Sequence, residues 1–129
     1  MNNKRDNFHS AVVYLLRHGD IRQDEIKRYI GQADISLNEA GRAQALSWRN
    51  ELAQVSLRRI FCSDLSRSYE TACIIAEGHS AQVQSLHKLR EINLGAWDGQ
   101  LTADVRRLYP GEYEKRGADL VYCRPRPDS

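Results

Sequence analysis

The residues best suited to chemistry form the hexapeptide Leu15-Leu16-Arg17-His18-Gly19-Asp20, which follows the apolar run 11–14. The apolar run predicts a buried strand, so the arginine and histidine stand at the carboxyl end of a strand, where α/β folds bind ligands. Gly19 allows a sharp turn and leaves room for a ligand. An imidazole beside a guanidinium suits attack on a phosphoryl group whose oxygens the arginine holds. The alternative is an ordinary strand-end loop with a solvated histidine.

A second arginine follows another predicted strand, at 57–62. Asp64 is the predicted N-cap of the next helix, and Arg67 lies in the first turn of that helix. A helix N-terminus beside a guanidinium binds anions, whereas the alternative is an exposed surface arginine. Residues at i, i+3, i+4 and i+7 predict a buried helix face that leaves Arg67 off the apolar stripe. These residues are Tyr69, Ala72, Cys73 and Ala76.

A carboxylate stands in the segment 89–99, which also carries a tryptophan and two glycines. Glu91 has no helical i+4 partner, so a role in proton transfer is attractive. Trp97 lies between Gly95 and Gly99 and predicts a packed turn. The alternative for Glu91 is a solvated loop carboxylate.

Four ordered elements resemble the motifs of the histidine phosphatase superfamily, also called the phosphoglycerate mutase-like family. They are Leu16-Arg17-His18-Gly19, the segment 31–41, the segment 63–67 with Thr71-Ala72, and Leu89-Arg90-Glu91 with Gly95, Trp97 and Gly99. The set looks most like the small bacterial phosphatases that include α-ribazole phosphatase. The resemblance implies an α/β fold, a three-layer α/β/α sandwich with a mainly parallel sheet, of which this chain holds the N-terminal part.

The resemblance also implies a reaction, phosphomonoester hydrolysis through a phosphohistidine on His18 without a metal or other cofactor. Arg17 and Arg67 would hold the phosphoryl oxygens and favour the neutral imidazole. Glu91 would protonate the leaving alcohol and then activate water, so it must begin protonated and its pKa should be raised, for which burial is one cause. The implied substrate-binding residues are Arg17, Gly19, Gln32 and Arg67. Two alternatives stay open: a mutase that passes the phosphoryl group to a second hydroxyl, and a phosphate-binding chain without catalytic activity.

Two features depart from the family pattern. The family's second histidine, which follows a late strand, has no match among His9, His79 and His87, so we expect a truncated C-terminus and low activity of this chain. Asp24 stands in the first loop, where many relatives have Asn, and its charge would repel a phosphate if it faced the site.

The length, composition and net charge of the chain exclude several classes of protein. A length of 129 residues fits one domain, which we predict as a polar tail at 1–10 followed by the histidine phosphatase domain at 11–129. The apolar share of 41% and the charged share of 28% are typical of globular proteins rather than disordered or membrane proteins. A net charge of +2, with basic pairs scattered among acids, argues against nucleic acid as a partner.

We expect a cytoplasmic protein that binds a small phosphorylated metabolite and no membrane, and homo-oligomer formation stays open.

The remaining patterns predict strands that alternate with helices, which is typical of an α/β sheet with parallel strands. The motif Ser36-x-x-Glu39 predicts a capping box at the start of the first helix. The predicted elements are strands at 11–16, 57–62 and near 82–86, and helices at 37–54, after Asp64, and from a Thr102 cap to a point before Pro110.

Overall fold

The computed structural model describes residues 10–118, so most of the predicted tail 1–10 and the end of the predicted domain lie outside the described residues. Helices and strands alternate along the first part of the chain, as the sequence predicts. The elements are α1 (Glu39–Glu51), β1 (Ile60–Cys62), α2 (Ser66–Ala76), β2 (Val83–Ser85), 3-10 turns at His87–Leu89 and Gly95–Trp97, α3 (Thr102–Leu108) and α4 (Pro110–Ala118).

Strands β1 and β2 form a parallel pair in which Ile60 lies opposite Val83 and Cys62 opposite Ser85. Parallel neighbours need a crossover connection, and here that connection is α2. The carboxyl ends of both strands therefore meet at one edge of the sheet. The segments that leave this edge are the start of α2 and the loop that carries Glu91.

The predicted strand at 11–16 is wrong for the described chain. The segment has no regular strand pairing, and most of its apolar side chains are exposed, with Val12 at 79%, Val13 at 82% and Leu15 at 94% of their full accessibility. A strand is stabilised by cross-strand pairs, and no described strand forms a ladder with this segment. No part of residues 10–118 covers the exposed apolar side chains of this segment.

Helices α1 and α2 run parallel to one another. Two ion pairs join them, Arg42 with Glu70 and Arg49 with Glu77, and the spacing along both helices is seven residues in the same direction. Exposed ion pairs of this kind contribute little to the free energy of unfolding, so their main effect is to orient α1 relative to α2.

Helix α1 begins at a different cap from the predicted capping box. Asn38 is the N-cap, and its Oδ1 accepts a hydrogen bond of 2.7 Å from the backbone N–H of Gly41. The Asn38 Nδ2 also donates to the carbonyl of Arg22 at 2.7 Å, and the Asn38 N–H donates to the carbonyl of Asp20 at 2.9 Å. The predicted Ser36–Glu39 box is wrong because these tertiary bonds to the loop after His18 select Asn38.

An aromatic cluster packs the second part of the described chain. Trp97 and Val105 are each 1% exposed, and the Trp97 ring lies 5.3 Å from that of Tyr29 and 6.2 Å from that of Tyr109. The prediction of a packed turn at Trp97 is confirmed. The predicted end of α3 before Pro110 is also confirmed, whereas its N-cap is Leu101 rather than Thr102.

Helix α4 (Pro110–Ala118) was not predicted. From the sequence, Pro110 was predicted only to end α3. Proline is equally suited to the first position of a helix, because its missing N–H has no partner there and its φ is already helical. Tyr113 of α4 packs against the aromatic cluster, and this tertiary contact stabilises the short helix.

Candidate active site

A cleft of about 560 Å³ opens beside the carboxyl edge of the sheet. Five of the six predicted site residues line it together, although they come from three separate segments of the sequence. They are Arg17, His18, Gly19, Arg67 and Glu91.

The half-buried imidazole of His18 is oriented by its own backbone. Its Nδ1 lies 2.7 Å from the carbonyl oxygen of Gly19. A carbonyl can only accept, so this bond places the proton on Nδ1 and leaves a lone pair on Nε2. The tautomer is therefore the one that a nucleophilic Nε2 requires.

Gly19 is a packing position between the loop of His18 and both helices. Its N–H donates to the Thr71 Oγ1 at 3.1 Å, and the same hydroxyl donates to the carbonyl of Arg67 at 2.7 Å. A Cβ on Gly19 would lie 2.3 Å from the carbonyl oxygen of Gly41 in α1, so any side chain here would push the two apart. Thr71 belongs to the third family motif, but its role as the link between Gly19 and Arg67 was not predicted from the sequence.

Arg67 is buried, at 2% of its full accessibility. Its Nη1 donates to the carbonyl of Ala33 at 2.7 Å and its Nη2 to the carbonyl of Gly31 at 2.6 Å. The prediction that Arg67 lies off the buried face is wrong, and so is the alternative of a surface arginine. The buried face of α2 carries Arg67, Thr71, Ala72 and Ile75, whereas Tyr69 is 47% exposed. The apolar pattern misassigned the face because two polar residues occupy it.

The charge of Arg67 has no neutralising partner within the described chain. Burial lowers the pKa of its guanidinium, and the negative charges of Glu91, Asp34 and Asp98 act against that shift. None of the described carboxylates lies within ion-pair distance of it, and the two bonds to it come from neutral carbonyls. A buried unpaired cation is costly, and an anion in the cleft would offset that cost.

Asp64 has a different role from the predicted helix cap. Its carboxylate accepts two hydrogen bonds from Arg90, at 2.6 Å from Nε and 2.9 Å from Nη2, and these bonds lower the pKa of Asp64. The pair joins the loop after β1 to the residue before Glu91. The cap prediction is wrong because a bidentate arginine occupies both carboxylate oxygens.

Glu91 lines the cleft but is exposed, so the predicted burial of its side chain is wrong. One carboxylate oxygen, Oε1, accepts from the N–H of Ile92 at 3.1 Å. Gln32 is absent from the cleft lining, and its Nε2 donates to the Glu91 carbonyl at 3.0 Å. The structure thus places Gln32 behind the Glu91 loop, where it holds the backbone of that loop.

Three further arginines line the cleft and were not predicted from the sequence: Arg22, Arg28 and Arg116. The guanidinium of Arg22 binds the carboxylate of Asp20 with a shortest contact of 2.8 Å, and these bonds hold the pKa of Asp20 well below its usual range. Asp24 pairs with Arg28 at 3.2 Å and is absent from the lining, so it does not face the cleft as a bare charge. Arginines outnumber acids in the lining, which favours an anionic ligand.

His79 and His87 do not line the cleft. Residues 10–118 contain no group of three or more His, Cys, Asp or Glu side chains placed to hold a metal ion. Within the same residues, no helix has both the length and the apolar character needed to cross a bilayer.

The sequence profile of the histidine phosphatase superfamily (branch 1) matches residues 13–127. The chain belongs to the histidine phosphatase superfamily. Phosphoserine phosphatase 1 of Hydrogenobacter thermophilus is 35% identical over 103 residues, which are 80% of this chain and 49% of that protein. The family resemblance of the four motifs is thereby confirmed.

Two solved structures of the superfamily share the fold. A mycobacterial glucosyl-3-phosphoglycerate phosphatase in complex with VO3 has a TM-score of 0.74 at 33% identity, with 84% of this chain and 53% of that chain covered. The α-ribazole phosphatase of Shigella flexneri has a TM-score of 0.77 at 25% identity, with 85% and 55% covered. The predicted α/β fold of a phosphoglycerate mutase-like phosphatase is confirmed. The chain spans about half the length of these histidine phosphatases.

Proposed function

We propose that the protein hydrolyses phosphomonoesters through a phosphohistidine on His18. One observation carries the proposal: a histidine with its proton on Nδ1 shares a cleft with a buried arginine that has no neutralising partner among residues 10–118. The first supplies an in-line nucleophile, and the second supplies a preorganised site for the phosphoryl oxygens.

The reaction proceeds in two displacements. The Nε2 of His18 attacks phosphorus, the bond to the leaving oxygen breaks, and Glu91 gives its proton to the departing alkoxide. Water then attacks the phosphohistidine while the Glu91 carboxylate takes one of its protons, and the P–N bond breaks to release inorganic phosphate. Arg17 and Arg67 hold the oxygens throughout, so charge is neutralised where it develops.

The substrate we propose is a small phosphorylated metabolite rather than a nucleic acid or a membrane lipid. Relatives are named for phosphoserine and for glucosyl-3-phosphoglycerate, both of which are small phosphomonoesters. The cleft volume of about 560 Å³ lies in the range typical of small-molecule sites. The free thiols of Cys62 and Cys73 fit the reducing cytoplasm, where we place the reaction.

The decisive test of the proposed function is hydrolysis that needs no metal and is blocked by vanadate. Release of inorganic phosphate from p-nitrophenyl phosphate should continue after exhaustive chelation, because arginines rather than a metal neutralise the phosphoryl charge. Vanadate should inhibit because it imitates the pentacoordinate phosphorus. Activity that is lost on chelation and restored by a divalent ion would contradict the proposal.

Phosphate release, together with labelling of the phosphoenzyme, distinguishes hydrolysis from the two alternative functions, a mutase and a phosphate-binding chain. A mutase would transfer the phosphoryl group to an added hydroxyl acceptor, depend on a bisphosphorylated sugar acid, and release little inorganic phosphate. A phosphate-binding chain without catalytic activity would bind vanadate and never form a labelled phosphoenzyme.

We expect the variant Glu91→Gln to depend strongly on the leaving group. A general acid matters most when the departing alkoxide is basic, so hydrolysis of alkyl phosphates should slow by about a hundredfold or more. Hydrolysis of p-nitrophenyl phosphate should slow far less, because its leaving group needs no proton. Steady-state kinetics on the two substrates measure the difference.

The matched control is Glu51→Gln, since Glu51 is an exposed residue of α1 and does not line the cleft. That variant should behave as the parent protein does on both substrates. Equal slowing of alkyl and aryl phosphates by Glu91→Gln would show that Glu91 acts only through the structure of its loop.

A further inference from the structure

We propose that Asp34 is the positioning residue for Arg67, because its carboxylate caps helix α2 and fixes the turn that carries the phosphoryl-binding guanidinium. The inference rests on the proposed function of Arg67. It adds a residue that does not line the cleft.

Helix α2 has no cap from its own flanking sequence. Its N-cap is Leu65, which has no side-chain hydrogen bond to offer, and Asp64 is occupied by Arg90. Asp34 supplies the missing acceptor from a distant loop. Its Oδ1 accepts from the backbone N–H of Ser66 at 2.8 Å, and its Oδ2 accepts from the Ser66 Oγ at 2.9 Å.

The contact between the loop and the helix is reciprocal. The Asp34 side chain binds the backbone and hydroxyl of Ser66, while the side chain of the next residue, Arg67, binds the backbone carbonyls of Gly31 and Ala33. Four hydrogen bonds therefore join a four-residue stretch of loop to two consecutive residues of α2. Movement of either partner would displace the guanidinium from the cleft.

The charge of Asp34 supports Arg67 without competing for it. The carboxylate is engaged by a neutral N–H and a hydroxyl, and it forms no ion pair with Arg67 within the described chain. A negative charge at a helix N-terminus is favourable, so the contact stabilises the first turn of α2. The guanidinium N–H groups that do not bind Gly31 and Ala33 stay available for a phosphoryl group.

The loop that presents Asp34 is held in one conformation. Gly31 has a φ of +52°, and a Cβ at that position would lie 1.9 Å from the Asp98 Oδ1. The Asp98 carboxylate accepts from the N–H groups of Gln32 at 3.3 Å and Leu94 at 3.1 Å. The position of Asp34 relative to Ser66 is thus set by contacts on the other side of the loop.

The test compares Asp34→Ala, Asp34→Asn and Ser66→Ala by vanadate affinity, the kinetics of p-nitrophenyl phosphate hydrolysis, and thermal unfolding. Asp34→Ala should weaken vanadate binding and lower kcat by about tenfold or more, since both bonds to Ser66 are lost. Asp34→Asn should recover most of the affinity because its amide oxygen can still accept from the Ser66 N–H. Ser66→Ala removes only the hydroxyl bond and should have the smallest effect.

A double-mutant cycle with Arg67→Met decides whether Asp34 acts through Arg67. In that background Asp34→Ala should have no further effect on vanadate affinity, because the group that it positions is gone. Full additivity would overturn the inference, and so would an Asp34→Ala protein of lowered Tm with unchanged vanadate affinity. If Arg67→Met alone left vanadate affinity unchanged, the proposed function itself would fail, whatever Asp34 does.

Discussion

Replacing His18 by alanine should abolish the phosphoenzyme and lower turnover by roughly a thousandfold or more, as removal of a catalytic nucleophile does. The bond from Nδ1 to the Gly19 carbonyl leaves Nε2 as the attacking atom, and no other described histidine lines the cleft. Rapid quench with a radiolabelled phosphomonoester should give an adduct on the parent protein that is labile in acid and stable in base. The variant should give none.

The control for this experiment is His87→Ala. His87 is exposed and lies outside the cleft lining, and its Nδ1 is 3.6 Å from the Asp64 Oδ2. That variant should form the adduct at the parent rate. A labelled adduct that survives in His18→Ala would show that another residue is the nucleophile. Vanadate binding should persist in part in His18→Ala, because the buried guanidinium of Arg67 remains.

The parallel strands explain only part of how the cleft residues could be predicted. Arg67 and Glu91 lie in the segments that follow β1 and β2, whose carboxyl ends meet at one edge of the sheet, whereas Arg17 and His18 follow a segment that forms no strand among residues 10–118. The strand pairing near 57–62 and 82–86 was equally accessible, since a helix of suitable pattern lies between the two segments. Strand order therefore accounts for Arg67 and Glu91, the motif around His18 accounts for Arg17 and His18, and neither excluded Gln32, which lies outside the cleft lining.

The sequence failed where a tertiary contact outweighs a local preference. Asp64 is a residue type that often caps helices, yet both of its carboxylate oxygens accept hydrogen bonds from Arg90. The carboxylate of Asp34, 30 residues earlier in the chain, caps α2 instead. Ser36 and Glu39 fit a capping box, yet the bonds from Asn38 to the loop after His18 set the start of α1. The Asn38 bond to Gly41 is local, but the bonds of Asn38 to residues 20–22 and the contact of Asp34 with Ser66 span 16 residues or more, so a window of a few residues does not contain them.

Burial was mispredicted in both directions for one reason. Hydrophobic periodicity assigns burial from apolar side chains, and here the buried face of α2 includes Arg67 and Thr71 while Val12 and Leu15 are exposed. Polar residues tolerate burial only when they are hydrogen-bonded, and both of these are. The bonds that permit it come from the 31–33 backbone and from α2 itself, so they could not be read from the apolar stripe.

Replacing Arg67 by methionine should lower kcat by about a hundred- to thousandfold, because a preorganised donor to the phosphoryl oxygens is removed from a buried position. The effect on stability is the difference between two opposing contributions. Methionine fills similar space and removes a desolvated cation, which is favourable, but it leaves the carbonyls of Gly31 and Ala33 without donors, at a cost of about 1–3 kcal/mol each. The loss of activity has no such offset, so kcat and the response to vanadate report the role of Arg67 more directly than the Tm of the free protein does.

Thermal unfolding with and without vanadate separates these two effects in a single experiment. Vanadate at about a hundred times its Kd should stabilise the parent protein by about 2.7 kcal/mol, seen as a rise in Tm, and should leave Arg67→Met nearly unshifted. The matched control is Arg42→Met, since Arg42 is an exposed residue of α1 paired with Glu70 and absent from the cleft lining. Its Tm should rise with vanadate as the parent does, because its charge is already paired and accessible to water. An equal rise in Arg67→Met would mean that the buried guanidinium does not bind the anion, and the cleft would then need another explanation for its excess of positive charge.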